Sequence, residues 1–168
     1  MDAISISERP PEIEDRAIPG HWEGDLIQGS NNSFIATVVE RQTRFAVLVK
    51  VDGKGSTEVI SRLSRKMEKL PDLLKKSLTW DRGTEMTNHR EFTVATNMQV
   101  FFCDPSSPWQ RGTNENTNGL LRQYFPKGTS VARYSQADLD AVAAELNSRP
   151  RKTLGFVTPA DKLAELLQ

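Results

Sequence analysis

Asp25, Asp81 and Glu115 stand in three unlike settings: Gly20-His21-Trp22-Glu23-Gly24-Asp25-Leu26-Ile27, Leu78-Thr79-Trp80-Asp81-Arg82-Gly83, and Trp109-Gln110-Arg111-Gly112-Thr113-Asn114-Glu115-Asn116. The first two read as carboxylates ending apolar strands, where a buried charge is costly unless it is paired or binds a metal. Glu115 follows a further helix and strand, in a Gly/Asn-rich stretch that turns helical. Three such acids suit Mg²⁺ and phosphoryl transfer on nucleic acid. Mg²⁺ takes a few oxygen ligands from protein and leaves the rest of its shell to water and substrate phosphate. The chain has only two histidines and one cysteine, too few for a zinc site of Cys/His type. Cys103, ending the apolar run Gln99-Val100-Phe101-Phe102, reads as a buried reduced thiol.

The elements that must position these acids follow from hydrophobic pattern. Pro10, Pro11 and Pro19 make residues 1–19 an extended lead-in to one domain over residues 20–168. The β-branched runs Trp22–Gln28, Ser33–Arg41 and Arg44–Val51 are linked by Asn31-Asn32 and Gln42-Thr43, which predicts three consecutive antiparallel strands. Apolar spacing near 3.6 predicts a helix from Thr57 to Leu70, then a short strand Ser77–Trp80. A helix from about Asn88 follows, with a capping box in Asn88-x-x-Glu91, and then the strand Val100–Cys103. Helices are predicted over Gly112–Tyr124 and Ser135–Asn147, and a last one opens at Thr158-Pro159.

The fold class is therefore α/β: a mixed five-stranded sheet, three antiparallel strands then parallel strand–helix units, with helices on both faces. A right-handed crossover that sets Ser77–Trp80 beside the first strand brings Asp81 out next to Asp25. On the helix from Gly112, Arg111, Glu115, Asn118, Gly119 and Arg122 share one face, while Leu120, Leu121, Tyr124 and Phe125 suit the buried side. That helix can lay its acidic face over the same crevice. An Arg111–Glu115 surface ion pair is the plainer account of the helix taken alone.

The 22 basic and 22 acidic residues cancel, so net charge gives no argument for general nucleic-acid binding. Distribution says more. Arg62, Arg65, Lys66, Lys69, Lys75 and Lys76 alternate with Val59, Ile60, Leu63, Met67 and Leu70, the pattern of a solvated helix face. Arg111, Arg122, Lys127, Arg149, Arg151 and Lys152 punctuate the C-terminal third and, with Asn118, are candidates for contacts to DNA. Trp109, in a loop rich in Pro and Ser, is a candidate for stacking on an exposed base, whereas Trp22 and Trp80 read as core aromatics. His89 reads as a helix-surface histidine. Neither a secretory leader nor a run of membrane-spanning length is present, so a cytoplasmic protein without a membrane partner is expected.

Three blocks, His21-Trp22-Glu23-Gly24-Asp25, Ser77-Leu78-Thr79-Trp80-Asp81-Arg82-Gly83 and Cys103-Asp104-Pro105-Ser106-Ser107-Pro108-Trp109-Gln110-Arg111-Gly112-Thr113-Asn114-Glu115-Asn116, closely resemble those of bacterial DDE transposases of the insertion-sequence-thirty family. The similarity runs on through Asn118-Gly119-Leu120-Leu121-Arg122 and Leu146-Asn147-Ser148-Arg149-Pro150-Arg151-Lys152-Thr153-Leu154-Gly155 to Thr158-Pro159. It implies a ribonuclease-H-like, retroviral-integrase-type catalytic core with Asp25, Asp81 and Glu115 as the acidic triad. It also implies Mg²⁺, with Mn²⁺ able to substitute and two ions expected with DNA bound. Water would free a 3′-hydroxyl at the element end, and that hydroxyl would then attack target DNA. Implied partners are element-end and target DNA and further copies of the chain, at the bacterial nucleoid. The helix-turn-helix module that family members carry near their N-terminus is not expected in this sequence. Two other readings fit the residues: a ribonuclease-H-like nuclease or resolvase that only hydrolyses, and a catalytically idle DNA-binding remnant.

Overall fold

The computed structural model describes residues 18–52, 55–80, 89–103 and 112–168, without the side chains of 56 and 112–115. Five strands form one sheet: β1 (His21–Gln28), β2 (Phe34–Glu40), β3 (Ala46–Val51), β4 (Ser77–Trp80) and β5 (Gln99–Phe102). Their spatial order is β3-β2-β1-β4-β5, with β1–β2 and β2–β3 antiparallel and β1–β4 and β4–β5 parallel. This is the mixed sheet expected from the pattern, in the ribonuclease-H-like arrangement that the resemblance implies. The first hairpin turns at Asn31 and Asn32, both in the left-handed region (φ 58° and 55°), where asparagine is tolerated better than most residues.

Among the described residues the α-helices are α1 (Ser56–Met67), α2 (His89–Thr96), α3 (Gly112–Leu121), α4 (Gln136–Asn147) and α5 (Pro159–Leu166). Strand alternation divides the core into two layers. Trp22, Leu78, Trp80 and Phe102 pack with Val59, Leu63 and Met67 of α1 and Phe92 of α2 on one face. Ile27, Ile35, Val39 and Leu48 pack with Leu121 of α3 and Leu139, Ala143 and Leu146 of α4 on the other. Caps set the later helices. Ser135 and Asp138 form a reciprocal capping box at α4, and the Thr158 hydroxyl accepts from Asp161 N–H ahead of Pro159. Two helices stop short of their sequence-based ends, at Met67 and Leu121, because the chain tightens into turns there: Leu70 N–H donates to Met67 C=O and Gln123 N–H to Leu120 C=O.

The β1–β4 pair that carries the first acid depends on a missing side chain. Gly24 lies opposite Trp80 in the parallel register, and a Cβ at Gly24 would meet the Trp80 ring at 2.4 Å. Trp80 is fully buried, so it has nowhere to retreat. Gly24→Ala is expected to cost about 1–3 kcal/mol through overpacking. A denaturant melt reads this directly, and an unchanged midpoint would show that the indole has room after all.

β3 lies at the edge of the sheet, where unpaired main-chain groups invite other strands. Two amide side chains of α4 cover it. Asn147 Oδ1 accepts from Ala46 N–H at 2.9 Å while its Nδ2 donates to Ala46 C=O at 2.9 Å. Gln136 Nε2 donates to Leu48 C=O at 2.7 Å and its Oε1 accepts from Lys50 N–H at 2.8 Å. Asn147 is buried, so Asn147→Ala orphans a buried donor and acceptor together. The expected loss is about 2–3 kcal/mol in equilibrium unfolding; a loss below about 0.5 kcal/mol would mean that water replaces the amide.

Candidate active site

Asp25, expected to end its strand, instead sits in the middle of β1, which runs on through Leu26 and Ile27 to Gln28; it is half-buried, on the face shared by Glu23 and Ile27. Its Oδ1 accepts from Leu26 N–H at 2.8 Å. Across the β1–β2 ladder its partner is Thr37, whose hydroxyl lies 3.3 Å from Asp25 C=O and 3.0 Å from Asn118 Oδ1. One hydroxyl proton is thus shared between strand β1 and helix α3. Thr117, the residue before Asn118, is also buried, which seats α3 on the sheet at this point. Glu115 lies on α3, three residues before Asn118. β4 ends at Trp80, paired with Gly24, and Asp81 is the next residue in the chain. Asp81, Trp109 and Arg111 lie outside the described residues, as does Asn88 of the anticipated capping box.

The described residues contain no group of three His, Cys, Asp or Glu side chains able to hold a metal ion. Both histidines are built into the fold. His21 Nδ1 is 2.7 Å from Ser77 Oγ, tying β1 to β4. His89 was expected on a helix surface, yet it is buried, with its ring edge-to-face against Phe102 at 5.3 Å. Apolar company from β5 outweighs its polarity there. Trp22 and Trp80 are fully buried core aromatics as anticipated, and Cys103 is a buried cysteine.

The remaining candidates for DNA contact divide by what already holds them. Arg122 donates to Phe125 C=O at 3.3 Å and to Gln28 C=O at 3.2 Å, bracing the end of α3 against the end of β1. Arg149 donates to Gln123 Oε1 and Tyr124 Oη and lies over the Tyr124 ring. Arg151 is half-buried, and burial, followed by the nearby Arg149, lowers its pKa from the usual arginine value. Lys127 and Lys152 are exposed.

A buried polar group escaped the sequence reading. Glu23, fully buried and two residues from Asp25 on the same face, pairs with Arg41 at 3.0 Å. Burial lowers the pKa of the neighbouring Arg44 while Glu23 opposes that shift. Glu40 accepts main-chain N–H groups of Gly20, Gln42 and Thr43 at 3.2, 3.0 and 2.7 Å, closing the second hairpin. The available signal was alternation: Glu23 takes a position that β1 otherwise points into a packed layer. An apolar cavity of about 340 Å³ between β3 and α4, rimmed by the Lys66–Asp140 ion pair, contains none of the acids.

Residues 15–108 match the integrase core domain family. Over 96% of its length the chain is 58% identical to a transposase for insertion sequence element IS30A of Escherichia coli, and it spans 42% of that protein. It is 52% identical over 99% of its length to a transposase for insertion sequence element IS1086 of Cupriavidus metallidurans, spanning 49% of it. A putative integrase of a Spiroplasma virus is 30% identical over 83% of the chain, which covers 44% of that protein. The chain thus spans less than half the length of each of these three relatives. No helix among the described residues is long and apolar enough to cross a membrane. A family match that starts ahead of β1 and ends beyond β5, on a ribonuclease-H-like sheet, makes this chain a member of the integrase core family, of the insertion-sequence-thirty transposase type.

Proposed function

We propose that this chain is the catalytic core of a DNA transposase, in which Asp25, Asp81 and Glu115 form one acidic site that cleaves phosphodiesters at mobile-element ends and joins the freed 3′-hydroxyl to target DNA. The observation that carries the reading is the docking of α3 on the sheet through Asn118 and Thr37, the cross-strand partner of Asp25. The helix bearing Glu115 and the strand bearing Asp25 therefore meet. The parallel register adds the third element, because β4 ends beside Gly24 with Asp81 next in sequence.

The donor set fits a hard cation. Asp25 offers a half-buried carboxylate, and the two histidines are committed to packing and strand pairing. Asp25, Asp81 and Glu115 would hold Mg²⁺ or Mn²⁺. When bound, such an ion stabilises charge on the attacking and leaving oxygens of an in-line displacement. The chain's own part is positional. Thr37 and Asn118 keep α3 on the sheet beside Asp25, and Gly24 leaves the space that the Trp80 ring fills over β1. Among the basic residues of the C-terminal third, the exposed Lys127 and Lys152 would hold phosphates without reading sequence. Self-association of the active form belongs to the same proposal.

A strand-joining assay with a pre-cleaved 3′-hydroxyl end, target DNA and Mg²⁺ tests the reading. Joined product is the expected result. Cleavage of uncut ends with no joining would assign a hydrolytic nuclease, and metal-independent DNA binding with neither reaction would assign an idle binding module.

A further inference from the structure

The link between α4 and α5 ends in a turn that is hard to explain by folding. Gly155 (φ 64°) and Phe156 (φ 69°) are consecutive left-handed residues, and Val157 N–H closes the reversal onto Leu154 C=O at 3.3 Å. Glycine or asparagine suits both central positions of such a turn, whereas a bulky aromatic there is strained. Phe156 gains no burial in exchange: it is 69% exposed. Nor is the tip loosely built. Phe156 N–H donates to Arg151 C=O at 2.8 Å, and Arg151 N–H to Val157 C=O at 3.1 Å. An aromatic ring is thus presented to solvent on a rigid support. The surrounding segment, residues 149–157, contains Arg149, Arg151 and Lys152 and no acidic residue.

Strain and exposure together, on a cationic segment, mark a contact residue. A flat apolar ring flanked by cations is complementary to a nucleotide, whose base stacks while its phosphates are neutralised. A fully paired duplex hides its base faces, so the ring needs a base already out of the stack. We propose that Phe156 is a stacking platform for an unpaired DNA base, with the exposed Lys152 supplying the cationic surface for the adjoining phosphate. This inference rests on the DNA-acting reading above and adds to it a preference for DNA with an unpaired end or flap.

The test uses the full chain with two fluorescent DNAs of equal length, a blunt duplex and a duplex with a short single-stranded flap carrying 2-aminopurine. Phe156→Ala and Phe156→Gly are expected to weaken flap binding about tenfold, to change duplex binding less than about twofold, and to leave the salt slope unaltered. Phe156→Gly relieves the backbone, so its melting midpoint should equal or exceed that of the wild type; a purely structural phenylalanine would give the opposite result. Phe156→Trp should retain flap binding and 2-aminopurine quenching. Lys152→Ala should instead lower the salt slope by about one for both DNAs. Equal losses on both DNAs, no loss at all, or a variant that changes only self-association would overturn the platform. If the wild-type chain binds neither DNA, the DNA-acting reading itself fails, an outcome separate from a wild type that binds and a Phe156→Ala that binds equally.

Discussion

Asp25→Asn should abolish strand joining, by at least about a hundredfold, without lowering the melting midpoint. The amide keeps an oxygen where Asp25 Oδ1 now accepts from Leu26 N–H at 2.8 Å, and it has nearly the same volume. What it loses is the charge. Residues that merely support a metal ligand are worth about ten- to a hundredfold, so removing a ligand's charge should cost at least the upper end of that range. Two readouts separate chemistry from folding. Joining from a pre-cleaved end reports the reaction, and the rise in melting midpoint on adding Mn²⁺ reports ion binding to the native state. Both should vanish in Asp25→Asn, and Glu115→Gln and Asp81→Asn should behave alike if the three carboxylates act as one site. Near-normal joining in Asp25→Asn would sink the triad.

The largest stability effect is expected at Arg41. Arg41→Met leaves the Glu23 carboxylate, which has no solvent exposure, without the guanidinium now 3.0 Å away. Breaking one side of a buried pair costs about 3–5 kcal/mol, whereas replacing both sides with neutral groups costs much less. The double variant Glu23→Gln/Arg41→Met should therefore be more stable than Arg41→Met alone. Urea unfolding of the two single variants and the double variant measures that coupling. If Arg41→Met costs less than about 1 kcal/mol, other groups, Arg44 among them, hold the Glu23 carboxylate. Because Glu23 and Asp25 share one face of β1, a loosened pair should also lower joining in Arg41→Met, though less than loss of Asp25 itself does.

Local signals carried most of the fold. The strands were legible because β-branched residues recur along them and the short Asn31-Asn32 and Gln42-Thr43 links leave room only for hairpins. Ser135 and Thr158 announced their helices because a side-chain cap is a contact between near neighbours in sequence. The parallel placement of β4 beside β1 also followed, since crossover handedness leaves few alternatives. Long-range partners were not legible. Glu23 and Arg41 are far apart in sequence, and nothing local says that a strand glutamate and a hairpin arginine will face each other in the core. Arg122 and Arg149 had the composition of phosphate ligands, but composition cannot reveal that main-chain carbonyls and a tyrosine occupy them in the folded chain. At the site, the sequence suggested that the helix of Glu115 could lie over the crevice of Asp25 without naming the contact that would hold it there. Only the fold shows Asn118 reaching Thr37, and with it the helix and strand in contact.

The amides of Gln136 and Asn147 on β3 bear on assembly as well as on stability. They occupy both main-chain groups of Ala46, the Leu48 carbonyl and the Lys50 N–H, so a sixth strand adding along this side would have to displace them. The covered edge thus differs from β5, the strand at the opposite side of the sheet. The same cover makes the two amides gatekeepers: with both gone, the edge of the largely apolar strand Ala46–Val51 would lie open as a template for aggregation.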